Sequence, residues 1–360
     1  FQGRSVRCGM EVRYLDSSEK KRCRSLWEEA FPEDSASFVD YYMEEKTKDN
    51  RILVLEENGR ILSMLHRNPY EVYAGDRLWK CDYIVGVATA EAGRRRGYMR
   101  RLMERALADM RAEGMPFSFL MPAAKEIYLP FGFTFIFDQP EWELPAMRIQ
   151  DSTLAVRQIT GGASEELMES AGRWMERWLG KRYEVFTRRD AEYMRRLVKE
   201  MESENGTLEE IQEKGKTAGF LGTWGLDGQE QRLLLAEPPL LREKGRARPA
   251  VMARIVSLPD FVKVIRLAEE APAERLVFCL EITDELLAEN QGVFRWTLDR
   301  TASFLERMSA AEDGKDTSGI IKIHIRDLTA WLFGYRVPGK LPAEAVFIRP
   351  IRGVFLDEVV

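Results

Sequence analysis

A basic, glycine-punctuated segment in the first third of the sequence has the residue types that bind phosphate. It reads IVGVATAEAGRRRGYMR over residues 84–100, which predicts a strand leading into a helix at Gly97. Backbone N–H groups at a helix start lack intrahelical partners and face the positive end of the helix dipole, so they bind phosphate oxygens. Gly97 allows close approach of a ligand to the backbone. Positive charge suited to a pyrophosphate comes from Arg94, Arg95, Arg96 and Arg100. The alternatives are a solvated basic helix start and a nucleic-acid patch, which would need stacking aromatic residues.

Other chemistries lack the residues that they need. The chain has two histidines, His66 and His324, and four cysteines, Cys8, Cys23, Cys81 and Cys279. No Cys-x-x-Cys pair and no zinc-like spacing occurs, so we expect no metal site. The lack of a Gly-x-Ser-x-Gly motif argues against an α/β-hydrolase. Four reduced thiols without a disulfide framework are typical of a cytoplasmic protein.

Length and composition favour a chain of several globular domains. It has 360 residues, of which 45% are hydrophobic, and a formal net charge of -5. At roughly 100–200 residues per domain, this length predicts two or three domains. No apolar run approaches the roughly 20 residues of a membrane span, and the negative charge argues against a dedicated nucleic-acid binder. Residues 1–9, which begin Phe1-Gln2-Gly3, are interpreted as the remnant of a cleaved tag before Met10.

The elements that must hold the basic loop are predicted within residues 10–150. A strand at 11–14 and helices at 18–30 and after Ser35 precede a hairpin at Asn58-Gly59, because both residues tolerate the positive φ of a tight turn. A short strand at 71–73 and a long strand at 78–89 follow. The loop then opens a helix over 97–113 with one apolar face, and strands at 117–121 and 133–137 flank a short helix at 123–128.

Two further segments complete the chain. Residues 151–258, which begin at the turn Asp151-Ser152, repeat the order of strand, two helices and strands, but they lack an arginine-rich loop. Residues 259–360 predict a helix at 260–268, strands at 276–282 and 292–299, and a strand–helix unit at 320–333. Final strands are predicted at 346–349 and 354–360. The chain ends on apolar Val359 and Val360, which suits a terminus packed into protein.

These motifs make the sequence resemble the GNAT acetyltransferase superfamily. Arg94-x-x-Gly97 is similar to that superfamily's R/Q-x-x-G-x-G/A pyrophosphate loop, although Met99 stands where Gly or Ala is usual. This larger residue, the segment Ile127-Tyr128-Leu129-Pro130-Phe131-Gly132-Phe133 and the three-segment plan resemble the enhanced-intracellular-survival (Eis) branch. The resemblance covers residues 10–360. It implies an α/β (α+β) fold with a GNAT domain at 10–150, a degenerate GNAT-like domain at 151–258 and a sterol-carrier-like domain at 259–360.

The resemblance also implies an activity and its binding residues. Acetyl-CoA is the implied donor, and the acceptor is a primary amine of an aminoglycoside, a polyamine or a protein lysine. By position, the strand backbone at Val85, Gly86 and Val87 pairs with the pantetheine arm. Ala123 and Ala124 lie beside the pantetheine and the thioester. The pyrophosphate is expected at Arg95, Arg96, Gly97, Tyr98, Met99 and Arg100. A cytoplasmic homohexamer is implied as well, and lipid binding by the third segment stays open.

Two catalytic groups follow from the same resemblance. Tyr128 is implied as the general acid that protonates the leaving thiolate, and its alternative is an aromatic residue packed beside Phe131 and Phe133. The carboxylate of Val360 is implied as the base that deprotonates the amine, and its alternative is a solvated carboxylate on a final edge strand. His66 is a weaker candidate for that base. The rival function is a non-catalytic protein that binds acyl-CoA or lipid.

Overall fold

The computed structural model describes residues 9–145, 153–308 and 319–360. The predicted tag remnant up to Cys8 and the predicted turn at Asp151-Ser152 lie outside these ranges. None of the helices within them combines the length and the apolar composition that a membrane crossing requires.

The first segment builds most of one large mixed sheet. Its strands are β1 (Met10–Tyr14), β2 (Arg51–Glu57), β3 (Arg60–Ala74), β4 (Arg77–Thr89), β5 (Phe117–Leu120), β6 (Thr134–Gln139) and the two-residue β7 (Trp142–Glu143). Its helices are α1 (Arg24–Ala30), α2 (Ala36–Glu45), α3 (Tyr98–Ala112) and α4 (Lys125–Tyr128). Strands β1 to β5 lie side by side in chain order.

Local signals in this segment form the predicted structures. Asn58 and Gly59 have φ angles of 52° and 79° and connect β2 to β3. The Ser35 hydroxyl accepts the Phe38 N–H at 3.1 Å and so caps α2. The predicted short strand at 71–73 is the end of the long strand β3, which pairs with β4 from Ser63 to Ala74.

The second segment forms its own four-stranded antiparallel sheet in the order β12-β11-β10-β8. Its elements are β8 (Leu154–Ile159), α5 (Glu165–Gly180), β9 (Val185–Thr187), α6 (Ala191–Ser203), β10 (Thr207–Glu213), β11 (Lys216–Trp224), β12 (Glu230–Ala236), β13 (Arg242–Glu243) and β14 (Arg248–Ile255). Three of these strands lie outside that sheet: β9 pairs with β3, β13 pairs with β7, and β14 lies between β5 and β6. The first sheet therefore contains β14, a strand whose residues belong to the end of the second segment.

The third segment packs a mixed four-stranded sheet against a helix, and the order of its strands is β18-β17-β16-β19. Its elements are α7 (Leu258–Phe261), β15 (Arg266–Leu267), β16 (Arg275–Thr283), β17 (Gly292–Asp299), β18 (Ser303–Arg307), β19 (Ile320–His324), α8 (Ile325–Leu332), β20 (Ile348–Arg349) and β21 (Val354–Phe355). The helix expected at 260–268 is shorter, because β-branched Val262, Val264 and Ile265 disfavour its extension and Leu267 pairs with Ile348.

The last seven residues, called the tail below (354–360), return to the first segment. Val354 and Phe355 form β21, which pairs in parallel with β9. The strand expected over all seven residues is thus limited to two. Beyond it, the chain continues into the interior, where Val360 is buried with Trp27 and Tyr42.

Candidate active site

The first sheet opens at the middle of β4. The recorded pairs between the parallel strands β4 and β5 are Asp82↔Ser118 and Tyr83↔Phe119. Among the described residues, no strand therefore pairs with β4 after Tyr83 on this side. An extended ligand with amide groups can pair with such a free strand edge.

A bulge at Gly86 shapes the free edge. The register between β3 and β4 shifts between Met64 and His66, and Gly86 has a φ of +57°. A Cβ atom at this position would lie 2.6 Å from the ring of Trp27, so only glycine fits both the angle and the space. Val85 and Val87 flank the bulge and are half-buried. The structure thus brings these three predicted residues to the edge of the opening.

The predicted phosphate loop follows β4 and ends at the start of α3. Arg95 and Gly97 have φ angles of 63° and 74°, and the latter is the residue before the helix. The first backbone bond of α3 runs from the Arg101 N–H to the Gly97 carbonyl, at 3.2 Å. The N–H groups of Tyr98, Met99 and Arg100 therefore precede the first hydrogen-bonded turn.

The charges of this loop face solvent. Exposed residues are Arg94, Arg95, Arg96, Gly97 and Arg100, whereas Tyr98 is buried and Met99 is half-buried. The Arg100 guanidinium lies 3.2 Å from Glu104 and stacks over Phe131, with 5.1 Å to the ring centroid. The side chains of Arg100 and Arg96 are thus partly engaged, Arg96 with Tyr98, but both remain exposed and can meet an anion together with Arg95.

Reversing two of these charges tests the phosphate site. We expect Arg95→Glu combined with Arg96→Glu to weaken CoA binding about 100-fold, because each charged hydrogen bond contributes about 1.5–3 kcal/mol. Calorimetric titration with CoA measures the effect. Lys181→Glu with Lys216→Glu makes the same change in net charge at exposed positions of the second segment. Equal CoA affinity in the two double variants would contradict the assignment.

Tyr128 lies near the gap where β4 and β5 separate. It ends α4, directly after the exposed Ala123 and Ala124, and its ring meets Phe133 edge-on at a centroid distance of 6.2 Å. Burial raises the pKa of Tyr128 to about 12. The phenol therefore stays protonated at neutral pH and can donate a hydrogen bond. Both the catalytic and the packing interpretation fit this position, because the ring packs against Phe133 while the protonated hydroxyl can serve as a donor.

A second tyrosine joins this region to the tail. The Tyr83 hydroxyl donates to the Val359 carbonyl at 3.0 Å and accepts the backbone N–H of Met121. It is also close enough to Tyr128 for the two phenols to interact electrostatically. Tyr83 is a site residue that the sequence analysis missed, since in sequence it is one more aromatic residue of a buried strand.

The structure places the end of the tail inside the first segment. Val360 is 5% exposed, and its backbone oxygen accepts a hydrogen bond of 2.5 Å from the Tyr70 hydroxyl. Tyr70 lies on β3 and Tyr83 on the neighbouring β4, so two adjacent strands hold the last two residues. This position is not that of a solvated edge strand.

A buried ion pair and a buried hydrogen bond fix the tail to the second segment. Arg189 pairs with Asp357 at 2.8 Å, and Glu358 accepts the Thr187 hydroxyl at 2.6 Å. Both acidic residues are nearly fully buried. Because removing one partner would leave a buried charge uncompensated, such pairs hold a chain in one position. Sequence reasoning could not find them, since the partners are about 170 residues apart.

His66 is poorly suited to act as a base. It is fully buried on β3, with Nδ1 at 2.9 Å from the Tyr42 hydroxyl. Burial lowers the pKa of His66 to about 3. Its imidazolium would lose a proton to water at neutral pH, so the ring does not retain a proton taken from an amine.

Two cavities meet at Val359. One of about 660 Å³ reaches from Met121 across Arg232, and one of about 920 Å³ extends towards α2; Trp224, Glu230 and Val359 line both. The larger cavity, called the acidic cavity below, has five carboxylates and no lysine or arginine among its described lining residues. These carboxylates belong to Glu33, Asp34, Glu204, Asp227 and Glu230. This cavity can attract a cation beside the tail.

Among the residues that the structure describes, no group of three or more His, Cys, Asp or Glu side chains is arranged to hold a metal. Cys23, Cys81 and Cys279 are buried free thiols, and Cys8 lies outside the described ranges.

Family models match two parts of the chain. A family model described as acetyltransferase (GNAT) domain matches residues 11–136, and a model described as sterol carrier protein domain matches residues 258–345. The comparison with curated proteins finds no match.

Similar solved structures cover almost the whole chain. A probable N-acyltransferase from Enterococcus faecalis V583 is 17% identical, with a TM-score of 0.73, over 91% of this chain and 90% of that one. A GCN5-related N-acetyltransferase from Kribbella flavida is 17% identical, with a TM-score of 0.72, over 98% and 99%. Eis1 from Mycobacterium abscessus is 13% identical, with a TM-score of 0.65, over 97% and 100%. At these identities the likeness shows the fold, and with the family models it confirms the predicted fold class.

Proposed function

We propose that the protein transfers acetyl from acetyl-CoA to a primary amine of a polycationic acceptor. A family model for a GNAT acetyltransferase domain matches residues 11–136, and the chain is thus an acyltransferase. The observation that carries the choice of acceptor is the acidic cavity. Its five carboxylates come together beside Val359, whose carbonyl accepts a hydrogen bond from Tyr83 of β4. Ammonium groups of an aminoglycoside, a polyamine or a lysine-rich peptide complement this charge.

The donor would be bound along the features already described. The pyrophosphate is assigned to the loop of Arg95 to Arg100, and the pantetheine arm to the free edge at Val85, Gly86 and Val87. Ala123 and Ala124 then line the side of the thioester that leads to Tyr128. The Eis-like plan supports this assignment, and Met99 in place of a small residue is its one departure from the general GNAT loop.

The acceptor nitrogen must lose two protons, and the leaving thiolate must gain one. The carboxylate of Val360 takes the first proton from the acceptor ammonium, and the free amine attacks the thioester carbonyl. As the carbon–sulfur bond breaks, the thiolate of CoA takes a proton from the Tyr128 hydroxyl, while the nitrogen gives its second proton to solvent, from which Tyr128 is protonated again. The new bond is an amide, and no acyl group is attached to the protein.

Thiol release from acetyl-CoA, measured with a panel of amines, tests the proposal. We expect turnover with a linear polyamine, an aminoglycoside or a lysine peptide, and none with the corresponding alcohols. Binding of acetyl-CoA without thiol release for any amine would instead support the non-catalytic acyl-CoA binder.

Neutralising the acidic cavity should weaken acceptor binding specifically. We expect Asp227→Asn with Glu230→Gln to raise KM for a polyamine about tenfold, because about 1.4 kcal/mol of attraction is lost. The KM for acetyl-CoA should not change. Glu269→Gln with Glu270→Gln, at exposed positions of the third segment, removes the same charge elsewhere. An equal rise of KM in both double variants would argue against this cavity as the acceptor site.

The Eis-like resemblance also leads us to propose a homohexamer in the cytoplasm. Light scattering of the purified protein measures the assembly.

A further inference from the structure

We propose that Lys46 and Tyr70 form a proton relay, which carries the proton taken from the acceptor amine away from Val360 and into a small pocket between the first two segments. This inference rests on the proposed acetyl transfer with the Val360 carboxylate as its base. It assigns a part in proton transfer to Lys46, which belongs neither to the phosphate loop, nor to the gap between β4 and β5, nor to the acidic cavity.

Three groups form a continuous chain of hydrogen bonds. The Tyr70 hydroxyl donates to the Val360 oxygen at 2.5 Å and accepts from the Lys46 ammonium at 2.7 Å. A phenolic hydroxyl can donate and accept at the same time, so it can pass a proton between its two neighbours. Lys46 also lies over the Tyr70 ring, 4.9 Å from its centroid. The heavy atoms needed for transfer are therefore in place, and transfer from Val360 to Lys46 requires only that the Tyr70 hydroxyl hydrogen turn from Val360 towards Lys46.

Lys46 is an unusual lysine. It follows α2, and only 7% of it is exposed. Among the described residues, no carboxylate forms an ion pair with its ammonium, and its recorded hydrogen bond goes to Tyr70. A buried lysine without an ion-pair partner is costly to keep charged, so it needs a compensating role.

The surroundings favour loss of a proton from Lys46. Burial is the largest cause that lowers the pKa of this amine, and Arg196 lowers it further. Glu200, Glu358 and Asp49 oppose this effect from the neighbouring elements, and the net pKa is still below that of an ordinary lysine. The titratable groups around Lys46 also include Tyr41, Tyr70 and Tyr193. A lysine with a lowered pKa can alternate between amine and ammonium.

The proton leaves Lys46 through a separate pocket. A cavity of about 110 Å³ is lined by Lys46, Tyr70 and Glu358 together with side chains of α6. This volume is sufficient for several water molecules, and its walls are polar. The pocket shares no lining residue with the acidic cavity or its neighbour. A proton released here would leave without crossing the space that holds the acceptor.

Transfer begins with Lys46 as a neutral amine, after its ammonium has released a proton to water in the pocket, and with the Tyr70 hydroxyl hydrogen turned towards it. The carboxylate of Val360 gains a proton from the acceptor ammonium and becomes a carboxylic acid. That acid gives its proton to the Tyr70 oxygen while the Tyr70 hydroxyl proton moves to the neutral Lys46 amine. The Lys46 ammonium then releases a proton to water in the pocket, which restores all three groups. Burial raises the pKa of Tyr70 well above its usual value, so Tyr70 stays neutral before and after the exchange.

Two substitutions of Lys46 separate a relay from a fixed charge. Lys46→Met removes the amine, and Lys46→Arg keeps a positive charge that does not lose its proton at working pH. We expect both to lower kcat at least about tenfold, as the loss of a proton-transfer step does. The KM for acetyl-CoA should not change, and kcat of Lys46→Met should become more sensitive to replacement of H₂O by D₂O. Lys48→Met, two residues away and exposed, is the matched control and should behave as the wild type.

Several results would overturn the relay. One is a kcat of Lys46→Met within about twofold of wild type, and another is full activity of Lys46→Arg, which would mean that the charge alone suffices. Tyr70→Phe covers the case in which neither variant folds, because it keeps the ring and removes only the bridging hydroxyl. A Tyr70→Phe enzyme with wild-type kcat overturns the relay by itself. A wild-type protein that releases no thiol with any amine of the panel overturns the proposed transfer and the relay together.

Discussion

Tyr128→Phe is expected to lower kcat about 100-fold, the usual effect of losing general acid catalysis. The ring and its edge-on contact with Phe133 remain, so packing and melting temperature should hardly change. Affinity for acetyl-CoA should also stay the same, because the phosphate loop and the free edge of β4 are untouched. Steady-state thiol release gives kcat, and calorimetric titration gives the affinity.

Tyr73→Phe is the matched control for this change. Tyr73 lies on β3 at the end where β9 pairs, away from the gap, and it loses the same hydroxyl. We expect normal kcat for this variant. If Tyr128→Phe turned over normally and only its melting temperature moved, Tyr128 would be a packing residue and the thiolate would need another donor.

Moving the carboxylate of Val360 should abolish acetylation. Val360 is enclosed by the cluster that includes Trp27, Phe38 and Tyr42, so Gly-Ser-Gly appended to it cannot fit without displacing the tail. We expect activity to fall at least about 100-fold, with the fold and acetyl-CoA binding retained. Amidation of Val360 by semisynthesis is the finer change, since it removes the charge and adds almost no bulk.

The controls for this experiment are simple. The same three residues placed before Phe1 test for a general effect of added chain, and intact mass spectrometry checks that the starting protein ends at Val360. A protein that is active after amidation would contradict the terminal base. A carboxylate acting through water would then be the candidate, because the pKa of His66 is about 3.

Sequence reasoning succeeded where the structure is local. The turn at Asn58-Gly59, the Ser35 cap and the loop before α3 depend on residues a few positions apart, so their types and spacing predict them. The helix at 260–268 is the local exception, because apolar residues alone do not distinguish a short helix from a strand that pairs with distant Ile348.

The rest of the site is built from distant parts of the chain. The five carboxylates of the acidic cavity come from both the first and the second segment. Lys46 in the sequence is one of two lysines around Thr47 and is typical of a solvated surface, yet it is buried beneath Tyr70. The pairing of Asp357 with Arg189 depends on a chain reversal that no local pattern encodes. Such contacts follow from topology, which one sequence does not determine.

Strand β14 has a consequence for synthesis on the ribosome. It separates β5 from β6 in the first sheet, but it is made about 110 residues after β6. At roughly 5–20 residues per second, β5 and β6 wait about 5–20 s for the strand that joins them. A nascent or truncated chain that ends between β6 and β14 therefore has the phosphate loop but lacks the strand that completes the first sheet.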